Sequence, residues 1–272
     1  MQIIDCINYS EEYELLKTRI KYLKQHVDYF YLVTGSHYFT GKKKKNDFTR
    51  ELKLASDEGV MLSVLEVNFT KIFKWHLLRL FWKRRLPKYT EDTQRKISIT
   101  KIKQHFSEND VMVYSDIDEF PSIQAVGKFK ALLKMLNRPF RVQLTNFYYN
   151  YRLFEDRDWL GPYVSTVSKA NWQDLRLLEY TPLENRSGWH FSYMGGANVM
   201  REKLATFAHQ DYAKLAFEDW NKVLSHIDNG EDLFGRSAYT FSHLNNLTEV
   251  YDEKILSLIQ NNEYFSVQGI SK

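Results

Sequence analysis

Short apolar runs alternate with amphipathic segments through the first part of this 272-residue chain. Residues 3–9, 27–36 and 59–69 are predicted to be strands, because they are apolar, rich in β-branched and aromatic residues, and bounded by polar turns. The segments at 10–27 and 48–57 carry apolar residues at the spacing of a helix. Since parallel strands need crossover connections, this β-α-β-α-β order predicts a parallel sheet covered by helices.

The alternation loosens after Pro121. Residues 140–154 are predicted to form a strand of an antiparallel or mixed sheet, and residues 155–190, rich in Trp, Arg, Asn and Pro, to form loops and short strands. No internal repeat, low-complexity block or linker divides the chain. We therefore expect a single α/β domain with a Rossmann-like, mostly parallel sheet flanked by helices, in which 1–120 is a nucleotide-type half and 121–272 an acceptor-type half.

Positive charge is concentrated in one stretch. The net charge is +4, yet residues 71–88 alone carry seven Lys and Arg and no acid, mixed with apolar residues such as Trp75 and Trp82. A basic, aromatic helix can lie on an anionic membrane surface. Bases and apolar residues do not separate onto two faces, however, so a helix packed on the domain with a solvated basic edge is the alternative. No nucleic-acid recognition motif accompanies the patch, and we expect no nucleic-acid partner.

The sequence also bears on the compartment. Cys6 is the single cysteine, so no intramolecular disulfide can form, which fits a reducing environment. The first residues read as a strand rather than a signal peptide, and no run of about 18 apolar residues occurs. We expect a cytoplasmic protein, microbial or viral in the cytoplasm of its host, with membrane-peripheral binding left open.

A cluster of acids follows the apolar strand VMVYSD. Asp116 and Asp118 lie where that strand leaves the sheet, and nucleotides bind at the carboxyl ends of parallel strands. Alternate residues of extended backbone point the same way, so Asp-x-Asp presents two carboxylates to one point. Mg²⁺ and Mn²⁺ take such oxygens together with substrate phosphates. Asp is also common in turns that end strands, and from these residues alone both interpretations stay open.

The chain resembles glycosyltransferase family 17, whose best-known members are β-1,4-mannosyl-glycoprotein N-acetylglucosaminyltransferases. The most specific stretches are SDIDEFP at 115–121 and GWHFSYMGG at 188–196. Softer matches are IIDCINYSEEYELLKTRIKYL, VDYFYLVTGSHYFTGKKK, TQRKISI and KLATFAHQDY, whereas 71–88 matches nothing in the family pattern. The resemblance implies a GT-A fold, a nucleotide-sugar donor and an inverting transfer.

The resemblance also implies roles for individual residues. Asp116 and Asp118 would hold Mn²⁺ or Mg²⁺ against the donor diphosphate, with His190 as a third ligand and His209 in reserve. Asp211, near the start of a late helix, would be the catalytic base that deprotonates the acceptor hydroxyl, with Asp232 as the second candidate. For each of these residues an ordinary structural role is the alternative.

Further residues would frame the two substrates. Glu119 would serve the acceptor or be an ordinary surface acid. The predicted donor-binding residues are Asp5, Asn8, Thr34, Gly35, Gln94, Arg95, Gly195 and Gly196. The predicted acceptor-binding residues are Glu119, Arg176 and Trp189, with Tyr148, Tyr149 and Trp172 as further aromatics of an acceptor cleft.

The expected function is a metal-dependent inverting transfer of a sugar, GlcNAc in the first place, from a UDP-sugar to a glycan or glycolipid acceptor. One alternative is a metal-dependent phosphotransferase or hydrolase, but the chain has no P-loop and no histidine cluster for two metals. A non-catalytic carbohydrate-binding protein is the other alternative. It fits the 15% aromatic content but would need no metal–nucleotide site.

Overall fold

The computed structural model describes residues 1–70, 86–174, 187–206 and 219–266. In these residues nine strands form one sheet. The strands are β1 (Ile3–Asn8), β2 (Tyr29–Gly35), β3 (Leu62–Val67), β4 (Val111–Asp116), β5 (Glu119–Pro121), β6 (Phe140–Tyr148), β7 (Leu153–Thr166), β8 (Gly188–Ser192) and β9 (Phe241–His243). The described helices are α1 (Tyr13–Leu23), α2 (Thr49–Glu58), α3 (Leu86–His105), α4 (Ile123–Leu136), α5 (Gly196–Thr206), α6 (Trp220–Asp228), α7 (Glu253–Gln260) and α8 (Glu263–Ser266), with a 3₁₀ turn at Leu247–Glu249.

The sheet runs in the order β3-β2-β1-β4-β7-β6-β8-β5, with β9 beside β7. The first four strands are parallel, whereas β7 is antiparallel to both β4 and β6. β2 and β4 lie on opposite sides of β1, so the strand order reverses between β1 and β4. Asn8 and Asp116 are register partners at this switch point. In open α/β sheets, ligands bind in the crevice that such a switch point leaves at the carboxyl ends of the strands.

Two apolar cores cover the two faces of the sheet, because successive residues of a strand point to opposite sides. In β1, Ile3 and Ile7 pack in the core that contains α1, α4 and α7, whereas Ile4 and Cys6 pack in the core that contains α3. Each of the four is at most 5% exposed. The predicted α/β class, with a central sheet flanked by helices, is confirmed.

One part of the predicted secondary structure is wrong. Residues 153–166 form the single long strand β7 rather than the loops and short strands expected from residue 155 onward. The middle of the strand, including Asp156 and Arg157, is exposed and polar, which hides the apolar alternation in the sequence. Pairing with β6 and β4 holds it extended, as in the partners Phe140↔Val164 and Tyr114↔Tyr163.

None of the described helices is long and apolar enough to cross a membrane. The basic stretch lies mostly at 71–85, outside the described residues, so its membrane contact stays a prediction. The division of the chain into a donor half and an acceptor half likewise stays a prediction.

Candidate functional site

A cleft of about 490 Å³ opens at the carboxyl ends of β1 and β4. Side chains of α3, β7, β8 and α5 complete its walls. Eight site residues predicted from the sequence line it: Asn8, Gln94, Arg95, Asp116, Asp118, Glu119, Tyr148 and His190. The cleft therefore coincides with the topological switch point and contains the whole acidic turn.

The acidic turn is held in place by Arg19, a fully buried residue of α1. Its guanidinium binds both carboxylate oxygens of Asp5 at 2.7 Å and donates to Ser115 Oγ at 2.7 Å. It also donates to the backbone carbonyls of residues 116, 117 and 119, the last at 2.5 Å. Arg19 thus fixes the path of the chain where β4 leaves the sheet.

Asp116 ends β4, and 45% of its side chain is exposed. Its Oδ1 accepts a hydrogen bond from Asn8 Nδ2 at 2.7 Å and lies 3.5 Å from Arg95 Nη2. Asn8 accepts from the Tyr114 hydroxyl at 2.7 Å, and Arg95 pairs with Glu91 at 2.9 Å. Arg95 Nε is buried with no hydrogen-bond partner in the described residues. One donor of this guanidinium therefore forms no hydrogen bond within the described residues.

Asp118 forms a buried ion pair that the sequence did not indicate. Lys203 Nζ of α5 lies 2.8 Å from Asp118 Oδ2 and 2.8 Å from Glu12 Oε1. Burial by itself would raise the pKa of Asp118, but the positive charge of Lys203, assisted by His190, holds that pKa well below its usual range. Burial would likewise lower the pKa of Lys203, yet the two carboxylates raise it well above normal. Asp118 is therefore ionised and Lys203 charged at neutral pH.

A row of buried polar side chains crosses four neighbouring strands. Glu119 of β5 is the register partner of His190 in β8. Asn146 in β6 is the register partner of both His190 and Glu155 in β7. His190 Nδ1 donates to Asn146 Oδ1 at 2.7 Å, and Asn146 Nδ2 donates to Glu155 Oε2 at 3.1 Å. Since Asn146 Oδ1 can only accept, Nδ1 carries a proton, and the other ring nitrogen, Nε2, lies 3.6 Å from Asp118 Oδ2.

Replacing Asn146 by leucine should release this tautomer. We expect ¹⁵N-histidine NMR spectra of the wild type to show His190 protonated at Nδ1, and those of the variant to show a mixture or the Nε2–H form. Outer hydrogen bonds of this kind are typically worth about 10–100-fold in metal affinity. The metal site predicted from the sequence would therefore bind Mn²⁺ about tenfold more weakly in the variant. Gln143→Leu, on the same strand, is the control. An unchanged tautomer in Asn146→Leu would contradict the role of Asn146.

Trp159 covers His190 and restrains Glu119. The Trp159 and His190 rings stack with centroids 4.2 Å apart, and Trp159 Nε1 donates to Glu119 Oε1 at 2.7 Å. The second oxygen of Glu119 accepts from the backbone N–H of Asp116 at 3.1 Å. Burial, followed by the negative charge of Asp116, raises the pKa of Glu119 to about 7. Both oxygens of Glu119 thus accept a hydrogen bond within the protein, which fixes the position of this carboxylate at the cleft.

Three residues predicted to contact the donor do not line the cleft. Asp5 is 1% exposed, and both of its carboxylate oxygens bind Arg19. Thr34 is 2% exposed and accepts a hydrogen bond from Lys44. A Cβ on Gly35 would lie 2.4 Å from the ring of Phe69, so this glycine permits close packing. The structure gives these strand-end residues roles in the core in place of the predicted donor contacts.

The glycine-ended strand also differs from expectation. Gly195 has φ 91°, its N–H donates to the Tyr264 carbonyl at 2.9 Å, and a Cβ there would lie 2.5 Å from the Tyr264 ring. Gly196, with φ 77°, begins α5. Neither glycine lines the cleft, so the turn alone explains them. Trp189 packs in the core and donates to the Val250 carbonyl at 2.9 Å, because strand alternation turns it away from the side that His190 faces.

Other predicted residues fall outside the described part of the chain or away from the cleft. Asp211, Arg176 and His209 lie outside the described residues, so their roles stay predictions. Asp232 is 4% exposed and binds the guanidinium of Arg236 through both oxygens, which removes it as a candidate base. Of the aromatics predicted for an acceptor cleft, Tyr148 lines the cleft. Tyr149 does not line it, and its hydroxyl donates to the Glu231 carbonyl. Trp172 packs against the core on the α3 side of the sheet.

The donor chemistry of the site suits Mg²⁺ or Mn²⁺, since two carboxylates and an imidazole nitrogen face one cleft. The described residues nevertheless contain no group of three or more His, Cys, Asp and Glu side chains already placed to hold a metal ion together. The ammonium of Lys203 binds the Asp118 oxygen that faces His190, Oδ2. A metal ion held by that oxygen and His190 would compete with Lys203.

A family model described as glycosyltransferase family 17 matches residues 1–262 of the chain. Among curated protein sequences, none is significantly similar to it.

Two solved structures share part of the architecture. A 4-diphosphocytidyl-2C-methyl-D-erythritol synthase from Anaerococcus prevotii is 10% identical, covers 71% of this chain and 88% of its own, and has a TM-score of 0.37. A mannose-6-phosphate isomerase from Helicobacter pylori is also 10% identical, covers 62% of this chain and 72% of its own, and has a TM-score of 0.36. Both TM-scores lie below 0.5, so neither likeness bears on the activity of this chain.

Proposed function

We propose that this chain, which belongs to glycosyltransferase family 17 and is a glycosyltransferase, moves a sugar from a UDP-sugar to a glycan or glycolipid acceptor. GlcNAc is the first candidate for the sugar. The proposed transfer inverts the anomeric carbon and uses Mn²⁺ or Mg²⁺. The observation that carries the proposal is the acidic turn at the switch point, where Asp116 and Asp118 enter one cleft beside Asn8. Family membership disfavours the hydrolase and the non-catalytic sugar-binding protein.

The proposed ligands of the metal ion are Asp116, Asp118 and His190. When bound, the ion supplies Lewis-acid stabilisation of the departing nucleoside diphosphate. Arg95 lines the cleft beside Asp116, where its guanidinium is placed to donate to an oxygen of the donor. Trp159 and Tyr148 offer aromatic side chains in the cleft, against which a sugar ring can pack.

The proposed reaction needs a base that takes the proton of the acceptor hydroxyl as its oxygen attacks the anomeric carbon of the donor. The bond from that carbon to the diphosphate oxygen breaks, and the diphosphate leaves with the electron pair. Asp211 remains the proposed base. Residues 71–88 remain the proposed site of membrane contact, which would suit a glycolipid acceptor.

Calorimetric titration with UDP, with and without Mn²⁺, tests the donor and the metal together. We expect UDP to bind, and to bind more tightly by tenfold or more when Mn²⁺ is present, because the cleft holds several carboxylates that a dication would neutralise. GDP and CDP serve as matched nucleotides. Equal UDP affinity with and without Mn²⁺ would contradict the metal, and absence of UDP binding would contradict the donor.

A further inference from the structure

One lysine of the basic loop after β2 differs from its neighbours. Residues 42–45 are four consecutive lysines, of which Lys42, Lys43 and Lys45 are exposed and Lys44 is only 8% exposed. A run of lysines usually forms a solvated surface, because burying an ammonium costs free energy unless it is paired. The burial of Lys44 alone therefore calls for a physical reason.

Lys44 is directed inward by the backbone of its loop. His37 and Lys43 form an antiparallel bridge, and the Lys44 N–H donates to the Ser36 carbonyl at 3.0 Å. Successive residues of extended backbone point to opposite sides, so Lys43 and Lys45 face solvent while Lys44 faces the cleft that it helps to line.

The ammonium of Lys44 is bound only by neutral oxygens. It donates to Ser10 Oγ and to Thr34 Oγ1, both at 3.2 Å, and lies 4.9 Å from the centre of the Tyr38 ring. Burial lowers the pKa of Lys44. No carboxylate in the described part of the chain is in ion-pair contact with this ammonium, in contrast to Lys203 in the same cleft.

The acids nearest to Lys44 form hydrogen bonds or ion pairs with other side chains. Glu11 accepts from the Tyr38 hydroxyl at 2.6 Å, Glu12 pairs with Lys203 at 2.8 Å, and Glu66 accepts from Asn46 at 2.7 Å. These three carboxylates act on the charge of Lys44 only from a distance, so the buried ammonium has no ion-pair contact within the described residues. A bound anion is the natural partner for such a charge.

We propose that Lys44 binds a phosphate oxygen of the nucleoside diphosphate donor, at the carboxyl ends of β1 and β2. The inference rests on the proposed nucleotide-sugar donor, whose diphosphate is its anionic part. Ser10 and Thr34 orient the ammonium, which explains why the buried Thr34 sits beside the cleft without lining it.

The test compares UDP, UMP and uridine by calorimetry on the full chain, using Lys44→Gln, Lys44→Arg and the exposed control Lys45→Gln. Lys44→Gln keeps a polar group near the two hydroxyls but removes the charge. We expect it to weaken UDP and UMP by about tenfold or more, as for a hydrogen bond to a charged group, and to leave uridine within about twofold. Lys45→Gln should leave all three affinities unchanged.

Thermal unfolding separates binding from a structural role. Since Lys44 is buried without a counter-ion, Lys44→Gln should keep or raise the melting temperature. A lower melting temperature together with equal weakening of UDP and uridine would overturn the inference, and so would unchanged UDP affinity. Should Lys44→Gln not fold, Lys44→Arg replaces it. We then expect the affinity for UDP to change more than that for uridine, and an equal change in both affinities relative to wild type would overturn the inference. Absence of nucleotide binding by the wild type would instead refute the proposed function itself.

Discussion

Replacing Arg19 by methionine should lower the free energy of unfolding by about 3–5 kcal/mol, the typical cost of removing one partner from a buried ion pair. The guanidinium and Asp5 are 0% and 1% exposed, so the substitution leaves a carboxylate without a partner in the core. It also frees the carbonyls of residues 116, 117 and 119, which bind no other side chain in the described hydrogen-bond network. The backbone of the acidic turn should therefore lose its single conformation as the free energy of unfolding falls.

Urea denaturation followed by circular dichroism measures the effect. Arg19→Lys is the informative comparison, because lysine keeps the charge but cannot bind both oxygens of Asp5 and the turn at once. The double variant Asp5→Asn, Arg19→Met removes both charges and should recover part of the loss. A cost below about 1 kcal/mol for Arg19→Met, the size expected of a surface pair, would show that Arg19 does not organise the turn.

The parts of the fold that the sequence predicts are those in which local pattern and tertiary structure agree. The first four strands, β1 to β4, are short apolar runs separated in sequence by helices. Each was expected near its observed bounds. β7 was missed because its exposed middle is polar, and its extended form depends on pairing with β4 and β6 rather than on its own residues. Local propensity does not carry that information.

The same distinction between local pattern and tertiary contact applies to the residues of the site. Asp116, Asp118 and His190 were found because two short motifs carry them, and the fold brings both motifs to one cleft. Lys203 and Asn146 were missed because their importance lies in contacts across 85 and 44 residues of sequence. Arg19 reads in the sequence as one more basic residue of an amphipathic helix, and only its burial distinguishes it. The sequence could not distinguish two roles for the glycines after β8, because a tight turn and a close approach to a ligand both require glycine.

Replacing Asp118 by asparagine should reduce sugar transfer by about a thousandfold, because the site would lose the carboxylate proposed to hold the cation that stabilises the departing diphosphate. Asparagine has nearly the same shape, and Lys203 keeps its pair with Glu12, so the fold should be retained. The proposed base gives a contrasting variant. Asp118→Asn should lose the Mn²⁺-dependent part of UDP binding, whereas Asp211→Asn should keep UDP binding and lose transfer.

Turnover of a panel of UDP-sugars and calorimetry with UDP and Mn²⁺ measure the two effects on the same preparations. Asp57→Asn, an exposed change on α2, is the control and should behave as wild type. Near-normal transfer by Asp118→Asn would remove the acidic turn from the mechanism. Lys203 binds Asp118 Oδ2, so loss of transfer without loss of Mn²⁺ binding would lead to a different conclusion. Asp118 would then act by holding Lys203, and the lysine would be the cation that faces the diphosphate.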